Sequence, residues 1–154
     1  MYMQSKIQQS VVSGIVATIV MTLLMVFGGA MGMPKMSPPV MLAAMMGMPV
    51  VIGWIIHFLI GIIFAAGYVF LFNNWLKKIS NKYLRGAVYG IVAFVVAQIG
   101  IPVMESIFGS GNIPAPEGSK ALMMIGSIMG HIVFGIVIAL LVKPIVPFTK
   151  QILK

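Results

Sequence analysis

The chain has 154 residues, of which 60% are hydrophobic and only 8% are charged. Such a composition excludes an ordinary soluble domain and is typical of a protein embedded in a membrane. The net charge of +8 would suggest nucleic acid in a soluble protein, and the lack of cysteine excludes disulfides and thiolate ligands.

Four apolar stretches, of which only the third holds a charged residue (Arg85, at its start), are each long enough to cross a hydrocarbon core, which takes about 20 helical residues. They run over residues 11–30, 50–72, 84–104 and 121–142. The sequence therefore predicts an all-α fold, an integral membrane four-helix bundle that forms a single transmembrane domain over residues 1–154.

The connections between these spans differ in character. In the first, Ser37 and Gly47 are suited to begin and end a short helix over residues 38–46, whose apolar side chains suggest that it lies flat in the outer interface. The second, residues 73–83, is short and basic. The third, residues 109–120, is rich in glycine and proline and predicts a plain loop.

The basic residues predict the topology. Eight of the ten fall on one side of an alternating chain, and the two acids, Glu105 and Glu117, fall on the other. The positive-inside rule then places both termini in the cytoplasm. These charges act as topology signals and headgroup contacts, so we expect no nucleic-acid partner. The eight are Lys6, Lys77, Lys78, Lys82, Arg85, Lys143, Lys150 and Lys154.

The only two histidines lie in apolar spans and in matching surroundings. His57 and His131 are 74 positions apart, and small residues stand four positions before and after each one. This correspondence suggests two tandem helical hairpins, although small residues at this spacing also mark ordinary packing of membrane helices. Ionisable groups at membrane depth are candidate functional residues.

Two histidines on diagonal spans, at similar depth, form the arrangement that ligates a b-type haem. Small residues around each histidine would let a macrocycle lie against the helix, and Trp54 would add an aromatic edge. We therefore predict haem b as a cofactor, held by His57 and His131 and flanked by Gly53, Gly61 and Gly135. The alternative is that each imidazole bonds a neighbouring helix and only stabilises the bundle.

The methionines suggest a different cofactor. Apart from Met1 and Met3, all 13 fall toward the outer half of the protein. Thioethers select Cu(I), with imidazole as a partner ligand, and Met124 stands two helical turns before His131. A copper site formed by Met124, His131 and His57 is the competing prediction, and an adaptable apolar surface is the simpler one.

Gln98 and Glu105 lie two turns apart in the third span, with Pro102 between them. Glu105 is either an interfacial carboxylate or a proton acceptor beside a redox centre. An enzyme is less favoured, because Ser127 near His131 lacks the surroundings of a nucleophile. A cofactor-free accessory subunit of a larger membrane complex, or a homo-oligomer, remains an alternative, with the segment Val40–Met46 as its contact surface.

Three stretches carry a resemblance: Gly53-Trp54-Ile55-Ile56-His57-Phe58, the Met-Leu-Ala-Ala-Met-Met segment at 41–46, and His131-x-x-x-Gly135. Over nearly the whole chain they resemble an uncharacterised family of small four-span bacterial membrane proteins. The resemblance implies a bacterial cytoplasmic (inner) membrane location and the same two-hairpin layout, and it implies no activity.

Overall fold

The computed structural model describes residues 2–109, 113 and 118–143, with side chains from residue 5 onward. In these residues the chain forms five helices and no strand, which confirms the predicted all-α class. The helices are α1 (Tyr2–Ala30), α2 (Pro38–Met46), α3 (Val50–Gly67), α4 (Lys82–Phe108) and α5 (Lys120–Leu141).

Four of these helices are long and apolar enough to span a membrane, with mean hydropathies between 2.1 and 2.4. They are α1, α4, α5 and α3 with its continuation to Lys78. Many of their large apolar side chains are exposed, as expected for helices that face lipid. The chain is a multi-pass membrane protein with the predicted four-helix bundle.

In this bundle α1 packs against α3 and α5, and α4 packs against α5. Helices α3 and α5 therefore stand diagonally across the core, as predicted for an up-down-up-down arrangement. The Phe64 and Phe134 rings meet across this diagonal, with centroids 6.4 Å apart. Buried side chains such as Ala17, Ile138 and Ala139 fill the core.

The two hairpins use small residues in corresponding ways. A methyl group on Gly14 of α1 would lie 2.7 Å from Ile62 Cα, and one on Gly86 of α4 would strike Ile136 Cα. Ile62 and Ile136 are 74 positions apart, whereas Gly14 and Gly86 are 72 apart. Each hairpin is thus closed by a glycine on its first helix against the same position of its second helix.

Helix α2 has the predicted bounds, with Gly47 ending it at a φ of 62°. Its apolar side chains Leu42, Ala43 and Met45 are buried, and its Pro39 carbonyl packs onto Gly53 of α3. The segment Val40–Met46, which was predicted to offer an apolar contact surface, therefore packs much of that surface against the bundle. Its orientation to the membrane plane stays a prediction.

The charges separate as the sequence predicts wherever the chain is described. The Lys6 ammonium lies 5.2 Å from the centre of the Phe70 ring, and the Lys143 amide donates to Gln9 Oε1 at 2.8 Å. These contacts bring the start of α1, the extension of α3 and the end of α5 together at what we name the basic end. Lys150, Lys154, Glu117 and most of the predicted 109–120 loop lie outside the described residues.

Candidate functional site

His57 is buried, with 8% of its surface exposed, and it faces α1. Its Nε2 lies 3.1 Å from Thr22 Oγ1. The Thr22 hydroxyl has one proton, which it donates to the Thr18 carbonyl at 2.8 Å. When both hydrogen bonds form together, Thr22 Oγ1 accepts from His57, which places the imidazole proton on Nε2 and the lone pair on Nδ1.

His131 adopts the opposite tautomer. Its Nδ1 lies 2.8 Å from the Ser127 carbonyl, which can only accept, so Nδ1 donates and the lone pair belongs to Nε2. The His131 ring meets the Phe94 ring of α4 edge-on, with centroids 5.7 Å apart. The two histidines are therefore alike in sequence surroundings but different in hydrogen bonding.

Each histidine contacts the first helix of its own hairpin. His57 contacts Thr22 of α1, and His131 contacts Phe94 of α4. Thr22 and Phe94 are 72 positions apart, the same separation as Gly14 and Gly86. The repeated pattern of small residues around each histidine therefore marks a repeated helix crossing. In the first hairpin a hydroxyl lies opposite the histidine, and in the second an aromatic ring does.

The glycines that were predicted to cradle a haem are covered by protein. Gly53 packs on the Pro39 carbonyl, Gly61 on the Thr18 side chain, and Gly135 on the backbone of Gly86 and Gly90. None of the three offers open surface to a macrocycle. The residues present thus do not fit the predicted cradle, and haem binding stays a prediction without support from the geometry.

Trp54 stands beside this region on the lipid side. Its ring stacks on Phe58, with centroids 6.1 Å apart, and meets the His57 ring at 6.3 Å. The indole is partly exposed. Trp54 therefore shields His57 from lipid, rather than forming one wall of a cavity between α3 and α5.

The methionines fall into two groups. Met124, the predicted copper ligand, is 47% exposed on α5, whereas Met21 and Met25 of α1 are buried and contact Gly130. Among the described residues no group of three histidine or acidic side chains is placed to hold a metal ion. The buried thioethers belong to Met21 and Met25 of α1 and to Met45 of α2, none of which the sequence analysis proposed as a copper ligand, and copper binding stays a prediction.

Gln98 and Glu105 lie on the least buried of the four spans. Both side chains are half-buried, and neither has a hydrogen-bond or ion-pair partner within the part of the chain that the structure describes. They belong to a row on α4 that we name the α4 seam. The seam consists of Ile91, Val95, Gln98, Pro102 and Glu105, with alternating steps of four and three residues.

The hydrogen bond from Tyr89 of α4 to Phe64 of α3 was not predicted from the sequence. The chain forms a π-helical turn at Tyr68–Phe72, where α3 continues toward the basic end. The Tyr89 hydroxyl of α4 donates to the Phe64 carbonyl next to this turn, and the Tyr68 and Tyr89 rings meet at 5.0 Å. The available signal was two tyrosines in apolar helices, since a buried phenol needs a partner.

Comparison with known proteins found a family model that matches this chain. A family model described as "Family of unknown function (DUF6789)" matches residues 4–148, nearly the whole chain. No curated protein and no solved structure matches the chain. The expected resemblance to an uncharacterised family is therefore confirmed, whereas its bacterial membrane location is not tested by this match.

Proposed function

The chain belongs to the DUF6789 family of unknown function, and we propose that it is a cofactor-free accessory subunit that binds another membrane protein through the α4 seam. The observation that carries the proposal is that Gln98 and Glu105 share one face of a membrane-spanning helix and have no side-chain partner in the described part of the chain. Gln98 lies within the predicted span, where a polar group is costly unless it is paired, and Glu105 lies near the end of α4.

The spacing of the seam fits a transmembrane partner helix. Alternating steps of four and three residues are the pattern of a left-handed helix pair, the commonest crossing in membrane bundles. Ile91 and Val95 would supply the apolar contacts of this pair. A polar residue within such a seam favours one register and one partner, which is the role we assign to Gln98.

Charge favours a different protein over a second copy of this chain. Around a two-fold axis each seam residue would face its own counterpart, so Glu105 would face Glu105. Like charges in contact are unfavourable, whereas a basic residue of a partner would compensate the carboxylate. We therefore infer a partner helix with a hydrogen-bonding side chain opposite Gln98 and a Lys or Arg near Glu105.

The other surfaces of the bundle support an interaction role less well. The segment Val40–Met46 buries Leu42 and Met45 within the protein, so its removal would disturb the fold before it removed a contact surface. His57 and His131 use one nitrogen each inside their hairpins. The unused nitrogens of His57 and His131 and the Thr18 hydroxyl belong to largely buried side chains, whereas the α4 seam presents its polar groups on the outer face of the bundle.

The test is photo-crosslinking in the native membrane, with a photoreactive amino acid placed at one position of α4 at a time. Val95 lies on the seam and its neighbour Val96 faces away from it, yet the two are 50% and 47% exposed. We expect an adduct from position 95 and none from position 96. We also expect Glu105→Lys to abolish the adduct at position 95.

The identified partner provides the decisive control. A Lys or Arg of the partner, changed to Glu, should restore the adduct with Glu105→Lys by exchanging the charges. An adduct whose mass equals two copies of this chain would replace the proposal with a homo-oligomer. Equal adducts at positions 95 and 96 would show non-specific contact and would contradict the proposal.

A further inference from the structure

The loop at the basic end has a second surface, independent of the α4 seam. It spans residues 75–85, from the end of the α3 continuation through residues 79–81 to the first turn of α4, and we name this whole segment the basic loop. It carries Lys77, Lys78, Lys82 and Arg85. The three lysines are exposed, and Arg85 is half-buried. Two aromatic residues accompany them, Trp75 with 74% and Tyr83 with 61% of the side chain exposed.

Hydrogen bonds fix the shape of this loop. The Ile79 amide donates to the Leu76 carbonyl at 2.9 Å, and the Ile79 carbonyl accepts from Arg85 Nε at 3.0 Å and Nη2 at 2.7 Å. Asn81 Oδ1 accepts from the Tyr83 amide at 2.9 Å and begins α4. The lysines therefore project from a constrained backbone, which reduces the entropy lost when they bind an anion.

The charge of the loop is not compensated by the protein's own acids. The sequence has only Glu105 and Glu117 as acidic residues, both beyond the middle of α4. Glu105 stands 23 residues after Lys82 on the same helix, which is about 35 Å at the rise of an α-helix. Within the described residues no carboxylate is near enough to balance the charge of the basic loop, which favours an anion from outside the chain.

The neighbouring side chains indicate what carries that anion. Leu71, just before this segment, and Leu84, near its end, are both exposed and belong to the helices long and apolar enough to span a membrane. Exposed Trp and Tyr side chains are typical of the membrane–water interface, at the level of the lipid headgroups. A ligand that covers leucines and also presents a phosphate to lysines has an acyl chain and a phosphate group.

From this arrangement we propose that the basic loop binds the headgroup of an anionic phospholipid. Lys77, Lys78 and Lys82 attract its phosphate, and Trp75 and Tyr83 hold the loop at headgroup depth. A soluble phosphate would share the charge interaction but not the contact with Leu71 and Leu84. The two sources of phosphate therefore differ in their dependence on the acyl chain.

Tryptophan fluorescence offers a direct test, because the chain has two tryptophans. In a Trp54→Phe background, Trp75 reports on the loop alone. The protein is reconstituted in nanodiscs that contain brominated lipid, which quenches a nearby indole. We expect brominated phosphatidylglycerol to quench Trp75 at a lower membrane fraction than brominated phosphatidylcholine, with a preference of about fivefold, the order expected for one lysine at a charged surface.

Variants at the two ends of the bundle separate the effect of the basic loop from the effect of net charge. The triple variant Lys77→Gln, Lys78→Gln and Lys82→Gln should lose the preference for phosphatidylglycerol. The double variant Lys35→Gln and Lys120→Gln, which removes charge from the opposite end, should keep it. The proposal would be overturned if the two brominated lipids quenched Trp75 with equal midpoints. It would also be overturned if the triple variant kept the preference for phosphatidylglycerol.

A competition experiment distinguishes the two sources of phosphate. Inorganic phosphate is compared with chloride at equal ionic strength, because salt alone screens the interaction. If the ligand is a phospholipid, the preference falls equally in both salts. A specific loss in inorganic phosphate would instead assign the loop to a soluble anion and would contradict a lipid site.

Discussion

Thr22 and His57 join α1 to α3 by a hydrogen bond of 3.1 Å within the membrane-spanning part of the bundle. The Thr22 hydroxyl relays this bond to the Thr18 carbonyl, which fixes the tautomer of the imidazole. A histidine that appears in the sequence as a candidate ligand thus donates its Nε2 proton inside the first hairpin. The pairing makes a structural role for His57 the simplest explanation.

This pairing predicts a modest loss of stability when the hydroxyl is removed. We expect Thr22→Val to lower the free energy of unfolding in detergent by about 0.6 kcal/mol and by no more than about 1.7 kcal/mol, the mean and the maximum measured for hydrogen bonds between membrane helices. Thr22→Ser keeps the hydroxyl and should stay near the wild type. Equal unfolding curves for Thr22→Val and the wild type would show that the bond contributes nothing to stability.

The covered glycines predict that the purified protein carries no haem. An optical spectrum of the oxidised and dithionite-reduced protein should show no Soret or α band, and elemental analysis should find no stoichiometric iron or copper. The physical reason is that Gly53, Gly61 and Gly135 pack against protein and not against open space. A bis-imidazole spectrum that both His57→Ala and His131→Ala abolish would restore the haem prediction.

The close helix crossings predict that the effect of a glycine-to-alanine change on stability depends on where the glycine lies. Gly86→Ala would place a carbon against Ile136 Cα and 2.7 Å from the Gly135 carbonyl, so the α4–α5 pair must separate. We expect a loss of about 1–3 kcal/mol, as for other overpacked sites. The measurement is chemical or thermal unfolding of the purified variant.

The control for this experiment is Gly100 on the same helix. A methyl group there meets no atom within 4 Å, so Gly100→Ala should raise stability by up to about 1 kcal/mol through helix propensity. If Gly86→Ala were as stable as Gly100→Ala, the close α4–α5 crossing would be wrong.

The hydrogen bond of Tyr89 beside the π-helical turn is expected to contribute to the stability of the bundle. Tyr89→Phe keeps the ring contact with Tyr68 but removes the donor to the Phe64 carbonyl. We expect a loss of about 1 kcal/mol, the usual net value of one hydrogen bond. Tyr83→Phe is the matched control, because Tyr83 is exposed and its change should leave unfolding unaltered. Indistinguishable losses in the two variants would contradict this role.

Several features followed from the sequence because they depend on composition and local pattern. Long apolar stretches predicted the four spans, and Ser37 and Gly47 marked the bounds of α2. The positions of the basic residues predicted which helix ends come together, and the contacts of Lys6 and Lys143 confirm it.

The candidate site depended on which helix each side chain faces. His57 and His131 have the same spacing to small residues, and from the sequence this pattern fits either a cofactor cradle or a close helix crossing. The choice depends on the position of Gly14, Gly86 and Gly90, which lie far away along the chain. A local pattern cannot carry that information.

The sequence by itself determined a helical membrane protein, since only a helix satisfies the backbone of a long apolar segment within lipid. The tertiary structure alone decided that the glycines close hairpins and that Met21 and Met25 are inside while Met124 is outside. It also decided that Gln98 and Glu105 have no partner among the described residues. The physical reason is that lipid and protein interior are both apolar. Hydrophobicity therefore drives insertion into the membrane, but the fit of small and polar side chains between helices decides which faces meet.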